Sequence, residues 1–168
     1  MSRGKRIEIS IPEQTLRLLG AEGELLAQYA VSTAARGPGE VANSYCTPRG
    51  RHHIRLRIGA GLPPLSVFVR RRPTGEVWSP ELAAKAPERD WILTRILWLT
   101  GDEPGHNRGR NAAGECVDTL RRYIYIHGTA PDAPMGVPLS HGCIRMNNDD
   151  LLALFDQVTA GMQVDILA

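Results

Sequence analysis

The run Ile7-Glu8-Ile9-Ser10-Ile11 alternates apolar and polar side chains with period two. That pattern fits a strand with one buried face and does not fit a helix. Thr15-Leu16-Arg17-Leu18-Leu19 reads as a second strand, and Ala21-Glu22-Gly23-Glu24 as the turn into a third over Leu25–Ser32. The chain therefore begins as an antiparallel meander. Thr47-Pro48-Arg49-Gly50 is a further turn, and residues 53–58 alternate basic and apolar side chains, as a strand with one wet face does.

Helical signals are few. Ser79-Pro80-Glu81-Leu82 carries a helix start, with Ser as N-cap and Pro in the first turn, and Pro87 keeps the helix short. Residues 91–99 are densely apolar, and β-branched Ile92, Thr94 and Ile96 favour a strand. Tyr123-Ile124-Tyr125-Ile126 is a strand that delivers His127 at its end. Asn148-Asp149-Asp150 opens a second helix with an acidic first turn that suits the helix dipole; Leu151, Leu154, Phe155 and Val158 give it an apolar face, and Gly161 stops it. Residues 163–167 form a closing strand. Residues 101–114 are polar and Gly-rich, a surface loop and candidate lid. The class is mostly β with one or two short helices.

At 168 residues, 42% of them hydrophobic, the chain suits one globular domain over residues 1–168. A net charge of +2 is too small to argue for a nucleic-acid partner, and Arg70-Arg71-Arg72 beside Pro73 reads as a solvated turn. Glu8, Pro12, Glu13 and Gln14 interrupt every apolar run near the N-terminus, so neither a secretory leader nor a membrane span is expected. Three cysteines, Cys46, Cys116 and Cys143, cannot all pair internally. Free thiols without an export signal point to the cytoplasm, with the periplasm as the alternative.

The chemistry concentrates in Ile126-His127-Gly128-Thr129 and Pro138-Leu139-Ser140-His141-Gly142-Cys143-Ile144-Arg145-Met146. A thiol is a weak nucleophile until it loses its proton. A nearby imidazole takes that proton, and the resulting ion pair would lower the thiol pKa. Gly142 beside Cys143 permits a tight turn and close approach of a substrate. Backbone N–H groups around Gly142 and Cys143 are candidate oxyanion donors. A buried structural cysteine and satisfied histidines are the ordinary alternative. Zinc held by His127, His141 and Cys143 is another, but no Cys-x-x-Cys or His-x-x-x-His pair supports it. No metal or other cofactor is expected. His52, His53 and His106 have no motif around them and read as solvated. Tyr45, Trp98 and Asn107 are weaker candidates for lining a cleft, and Cys46 and Cys116 read as structural.

The Ser-His-Gly-Cys-Ile-Arg-Met stretch, preceded by Tyr-Ile-His-Gly-Thr, resembles the signature of the L,D-transpeptidase catalytic-domain (YkuD-like) family. Val31-Ser32-Thr33, Thr47-Pro48-Arg49-Gly50 and residues 148–155 with 161–166 extend the resemblance to nearly the whole chain; residues 95–109 depart from the family's common minimum and, together with Val117-Asp118-Thr119, are similar to small family members without an export signal. The resemblance implies a β-sandwich-like fold of mixed sheets. It implies attack by Cys143 on the carbonyl of an L,D peptide bond, commonly at the L-centre of meso-diaminopimelate, with D-Ala leaving. It makes His127 the general acid/base and Gly128 the residue whose carbonyl orients it. His141 lies in the catalytic motif, and Ser140 and Gly142 shape the cysteine loop. Arg145 occupies a position suited to holding that loop or a substrate carboxylate.

The implied partners are a peptidoglycan stem peptide or muropeptide, and a carbapenem-type β-lactam as inhibitor. Three functions follow: an L,D-carboxypeptidase that trims D-Ala in cell-wall recycling, which is the favoured one; an L,D-transpeptidase that cross-links or exchanges D-amino acids; and a non-catalytic wall-binding module, which an intact His127/Cys143 pair argues against.

Overall fold

Ile7 and Ile9 are fully buried while Glu8 between them is not, so the opening alternation becomes β1 (Arg6–Ser10) with one face in the core. The computed structural model describes residues 4–168; residues 1–3, part of the basic start of the chain, lie outside the described residues. The order continues β2 (Thr15–Leu19), β3 (Leu25–Ser32), β4 (Gly50–Ile58), β5 (Ser66–Val69), β6 (Arg72–Val77), α1 (Pro80–Lys85), β7 (Ile92–Gly101), β8 (Tyr125–Gly128), β9 (Ile144–Met146), α2 (Asn148–Phe155) and β10 (Gln163–Leu167). The fold is mostly β with two short helices, as the sequence indicated.

The strands run in the order β4-β10-β1-β2-β3-β9-β8-β7-β5-β6, and β4 also pairs with β7. That last pairing closes the sheet on itself and leaves the β5–β6 hairpin outside the ring. β1 and β10 pair in parallel, as do β8 and β9, while the other ladders are antiparallel. The sheet is mixed, as expected. Closure removes free edges around the ring. It also encloses one core, in which Ile7, Leu16, Val31, Leu97, Ile126 and Ile144 meet Leu151, Leu154 and Phe155 of α2.

Local chemistry explains the element boundaries. Ser79 caps α1 by accepting from Leu82 N at 3.1 Å. Asn147 caps α2 by accepting from Asp149 N at 3.0 Å. The alternation expected over residues 53–58 breaks midway: Ile54 is buried, Leu56 is exposed, and the ladder to β7 shifts register between them. A bulge inserts one residue and turns the following side chains to the other face. Pro73 is tolerated in β6 because that strand lies at the end of the sheet order.

Two further expectations are corrected. His52 is fully buried rather than solvated, with Nδ1 3.0 Å from the Gly50 carbonyl and Nε2 2.9 Å from Thr119 Oγ1. Residues 101–114 do not form a free lid. Asn107 is fully buried and its amide donates to the Arg49 and Arg51 carbonyls, each at 3.0 Å, while its Oδ1 accepts from Glu103 N at 2.9 Å. That staple fastens the segment to the start of β4.

Candidate active site

Parallel pairing of β8 with β9 sets Ile126 opposite Ile144 and His127 opposite Arg145. Side chains alternate across a strand, so Ile126 and Ile144 point into the core, and Tyr125, His127, Cys143 and Arg145 share the other face. Cys143, one residue ahead of β9, comes level with Tyr125. The contacts agree: Tyr125 N donates to Cys143 Sγ at 3.3 Å, and the thiol donates to the Tyr123 carbonyl at 3.4 Å.

His127 is buried, with Nδ1 2.6 Å from the Gly128 carbonyl. A carbonyl only accepts, so Nδ1 carries the proton and Nε2 presents a lone pair. Burial holds the imidazole below the ordinary histidine range, opposed by the Gly128 carbonyl and by Asp90. Burial also pushes the Cys143 thiol up to about 12, with Asp90 adding to the rise and the Tyr125 amide, Arg145 and Arg122 opposing it. Both directions favour a neutral imidazole beside a neutral thiol at rest. They run against the expectation that an ion pair would lower the thiol pKa, because the cost of charging either group in this face opposes the nearby cations.

The cysteine loop is held from several sides. Ser140 Oγ donates to the Cys143 carbonyl at 2.6 Å and accepts from Gly142 N at 3.2 Å. Thr47 Oγ1 donates to the Gly142 carbonyl at 2.9 Å. Gly142 has φ +133, and a Cβ there would come within 3.2 Å of the Cys46 carbonyl and 3.3 Å of Ile124 Cδ1. The positive φ favours glycine, and the close approach makes any larger residue tight. Because Ser140 takes the Gly142 N–H, that amide is not free for an oxyanion. The His141 and Cys143 amides make no hydrogen bond among the described residues and remain as donors.

Arg145 donates to the Leu139 carbonyl at 3.4 Å and lies 3.3 Å from Asp90 Oδ1, so its contacts hold the loop. His141 is exposed, 3.9 Å from Asp90 Oδ2 and edge-on to the Tyr45 ring. Gly128 packs where a Cβ would run into Asn148 Oδ1 and the Leu93 carbonyl. Among the described residues, His127, His141 and Cys143 do not gather into a cluster able to hold a metal ion.

A groove of 240 Å³ is lined by Tyr45, Arg121, Tyr123 and His141 among others, and it meets the Cys143 thiol through Tyr123, whose carbonyl accepts from it. The model of the L,D-transpeptidase catalytic domain matches residues 4–166. The chain belongs to this family. It is 39% identical over 132 residues to the probable L,D-transpeptidase YbiS of Escherichia coli K12, covering 73% of this chain and 40% of that one. It is 28% identical over 156 residues to the putative L,D-transpeptidase YkuD of Bacillus subtilis 168, covering 90% and 85%. The fold matches L,D-transpeptidase 3 of Mycobacterium tuberculosis, solved with a faropenem-derived adduct, with a TM-score of 0.58 at 15% identity over 98% of this chain and 60% of that one. The chain thus spans about 40% of the length of YbiS.

Within this family domain, several site residues carry no local signal in the sequence. Asp90 reaches the site from the loop ahead of β7 and faces His127, His141, Cys143 and Arg145. Arg122 pins the wall beside the cysteine loop by donating to the Cys46 carbonyl at 2.7 Å and the Gly39 carbonyl at 3.2 Å. Arg71, read as part of a solvated turn, instead donates to Tyr125 Oη at 2.9 Å. Tyr45 lines the groove and Trp98 packs on Tyr123 and Tyr125, whereas Asn107 does neither.

Proposed function

We propose that the protein is a cysteine acyltransferase acting on L,D peptide bonds of peptidoglycan stem peptides, with water as the usual acceptor. The observation that carries this reading is the fixed His127 tautomer on the face it shares with Cys143. As the carbonyl carbon arrives, Sγ attacks and the thiol proton passes to His127 Nε2, so charge develops only along the reaction path. The oxyanion is met by the Cys143 and His141 amides. The imidazolium returns its proton to the departing amine, the C–N bond breaks and a thioester remains. Water, deprotonated by the same imidazole, then releases the acid and the thiol.

Hydrolysis would make the protein an L,D-carboxypeptidase that releases D-Ala from muropeptide tetrapeptides. A nucleophile that is half-buried rather than sealed in the core supports it. The names of the relatives favour the second reading, transfer to an amine. Purified protein mixed with a disaccharide tetrapeptide and excess D-amino acid separates the two by mass spectrometry. Tripeptide and D-Ala support hydrolysis; dimer or exchanged product makes the protein a transpeptidase; no product from either removes the substrate reading. We place the protein in the cytoplasm, on the support of three unpaired thiols; recovery in the periplasmic fraction would overturn that.

A further inference from the structure

The β5–β6 hairpin folds over the face that carries the nucleophile. Phe68 packs with Ile96 and Tyr125, and Cys143 packs against the same cluster. The hairpin turns at Arg70 and Arg71, whose φ angles are +49 and +65. A two-residue turn of this hand favours Asn-Gly, and a side chain with a Cβ adopts it at a cost of roughly 1–2 kcal/mol per residue. Arg71 nevertheless stands there with its guanidinium turned inward. Its Cζ lies 4.5 Å from the Tyr123 ring centroid and 4.9 Å from that of Trp98, and Nη1 donates to Tyr125 Oη at 2.9 Å.

Arg71 differs from the other cations of this face. Arg145 is spent on Asp90, and Arg122 on main-chain carbonyls. Arg71 meets no carboxylate among the described residues, and one of its five N–H groups is used on a neutral phenol. Stacking on two rings fixes the plane of the guanidinium and leaves an edge to bind a carboxylate with paired hydrogen bonds.

The placement also sets a distance. Tyr125 touches Cys143 Sγ with its amide and Arg71 with its hydroxyl, so the guanidinium stands about one tyrosine side chain from the nucleophile. In a peptide that ends one residue past the scissile bond, the terminal carboxyl carbon lies three bonds from the attacked carbonyl carbon, roughly 3–3.7 Å away. An attack distance of about 3–3.5 Å and a hydrogen bond of about 2.9 Å complete a comparable span.

We propose that Arg71 is a specificity residue that holds the free terminal carboxylate of the leaving residue, so that the site selects peptides ending one residue beyond the bond it cleaves. The inference rests on the acyl-transfer reading above and adds the chemistry by which the leaving end is recognised. It makes the substrate an acidic peptide with a free C-terminus rather than a longer or amidated chain.

The test compares a stem tetrapeptide as free acid with its C-terminal amide. Turnover is measured on the active protein, and binding by calorimetry on Cys143→Ala, where no chemistry interferes. Wild type is expected to prefer the acid by about tenfold or more in kcat/KM, carried by KM, with the same preference in binding to Cys143→Ala. Arg71→Gln should abolish the preference by weakening the acid and leaving the amide unchanged. Arg71→Lys should restore part of it, and Arg70→Gln should behave as wild type. Equal handling of acid and amide by wild type overturns the proposal, as does a loss in Arg71→Gln that falls equally on both. Failure of the acyl-transfer reading looks different: the tetrapeptide is not turned over, or Cys143→Ala still turns it over. The acid preference in binding then still decides the role of Arg71.

Discussion

Thr47 donates its hydroxyl to the Gly142 carbonyl at 2.9 Å, and the same oxygen accepts from Ala34 N at 3.0 Å. One buried side chain thus ties the cysteine loop to a segment far away in the chain. Thr47→Val keeps the shape and removes both bonds, leaving a buried carbonyl and amide unpaired. The expected cost is about 1–3 kcal/mol of stability, together with a fall in kcat larger than the change in KM, because loop position matters most at the attack step. Urea unfolding and steady-state kinetics on the same preparation check both. An unchanged kcat would mean that Ser140 and Arg145 hold the loop without Thr47.

The neutral resting pair predicts slow labelling of Cys143. With the thiol pushed up to about 12 by burial, its alkylation by iodoacetamide should still be rising between about pH 9 and 11, where an ordinary thiol has already ionised. His127→Ala should change this profile little, yet cut turnover by about a hundredfold to ten-thousandfold, the usual loss for a general base. An ion pair would give the opposite result: fast labelling at neutral pH that collapses when His127 is removed.

Which parts of this site were legible in the sequence follows from where their causes lie. His127, Gly128, Ser140, Gly142, Cys143 and Arg145 fall in two short runs, and their roles depend on neighbours a few residues away or on one parallel pairing. The opening meander was equally readable, since alternation with period two is a local signal. Arg71, Asp90 and Arg122 were not. Each acts through contacts made across the fold, and an arginine in a hairpin turn looks solvated until the hairpin is seen to fold over Tyr125. His52 was misread for the same reason, because Thr119, the partner that makes its burial tolerable, lies 67 residues on. The bulge in β4 inverted the expected face of Leu56, and no residue type announces a bulge of that kind.

A penem or carbapenem should acylate Cys143, since its strained amide presents a carbonyl to the thiol as the peptide does. Intact-protein mass spectrometry should show one adduct per chain, absent in Cys143→Ala and retained in Cys46→Ala and Cys116→Ala. That Cys143→Ala protein should keep the wild-type circular dichroism spectrum. An adduct that survives loss of Cys143 would move the nucleophile elsewhere.

His52 should make the fold sensitive to acid. Burial lowers its pKa from 6.5 to about 4. The unfolded chain therefore takes up a proton first as pH falls, and stability present above about pH 6.5 is lost progressively down to about pH 4. For this group alone the loss amounts to at most about 3 kcal/mol. Buried His127 is shifted in the same direction and adds to the slope. His52→Gln can still bond Thr119 and does not titrate, so its urea-unfolding free energy should fall less than that of wild type between pH 7 and pH 4. Parallel curves for the two proteins would show that His52 takes up its proton without unfolding.

Asp90 offers a sharper test of the electrostatics around the pair. It lies 3.3 Å from Arg145 Nη2 and 3.9 Å from His141 Nδ1, and its charge raises the pKa of both His127 and Cys143. In Asp90→Asn that negative charge is gone while the shape is kept. The imidazolium loses a stabilising neighbour, so the His127 pKa falls further. The base then stays unprotonated to lower pH, and the acidic limb of the kcat/KM profile should move to lower pH. The thiolate loses a repulsive neighbour, so alkylation of Cys143 should become faster at any given alkaline pH. The two shifts come from one charge and run in the same direction on the pH axis. A merely structural role would lower activity at every pH without moving either limb. Rates measured from pH 4 to pH 10 on wild type and Asp90→Asn, with alkylation followed in parallel, distinguish the two; a limb that moves to higher pH would place the Asp90 carboxylate on the wrong side of this argument.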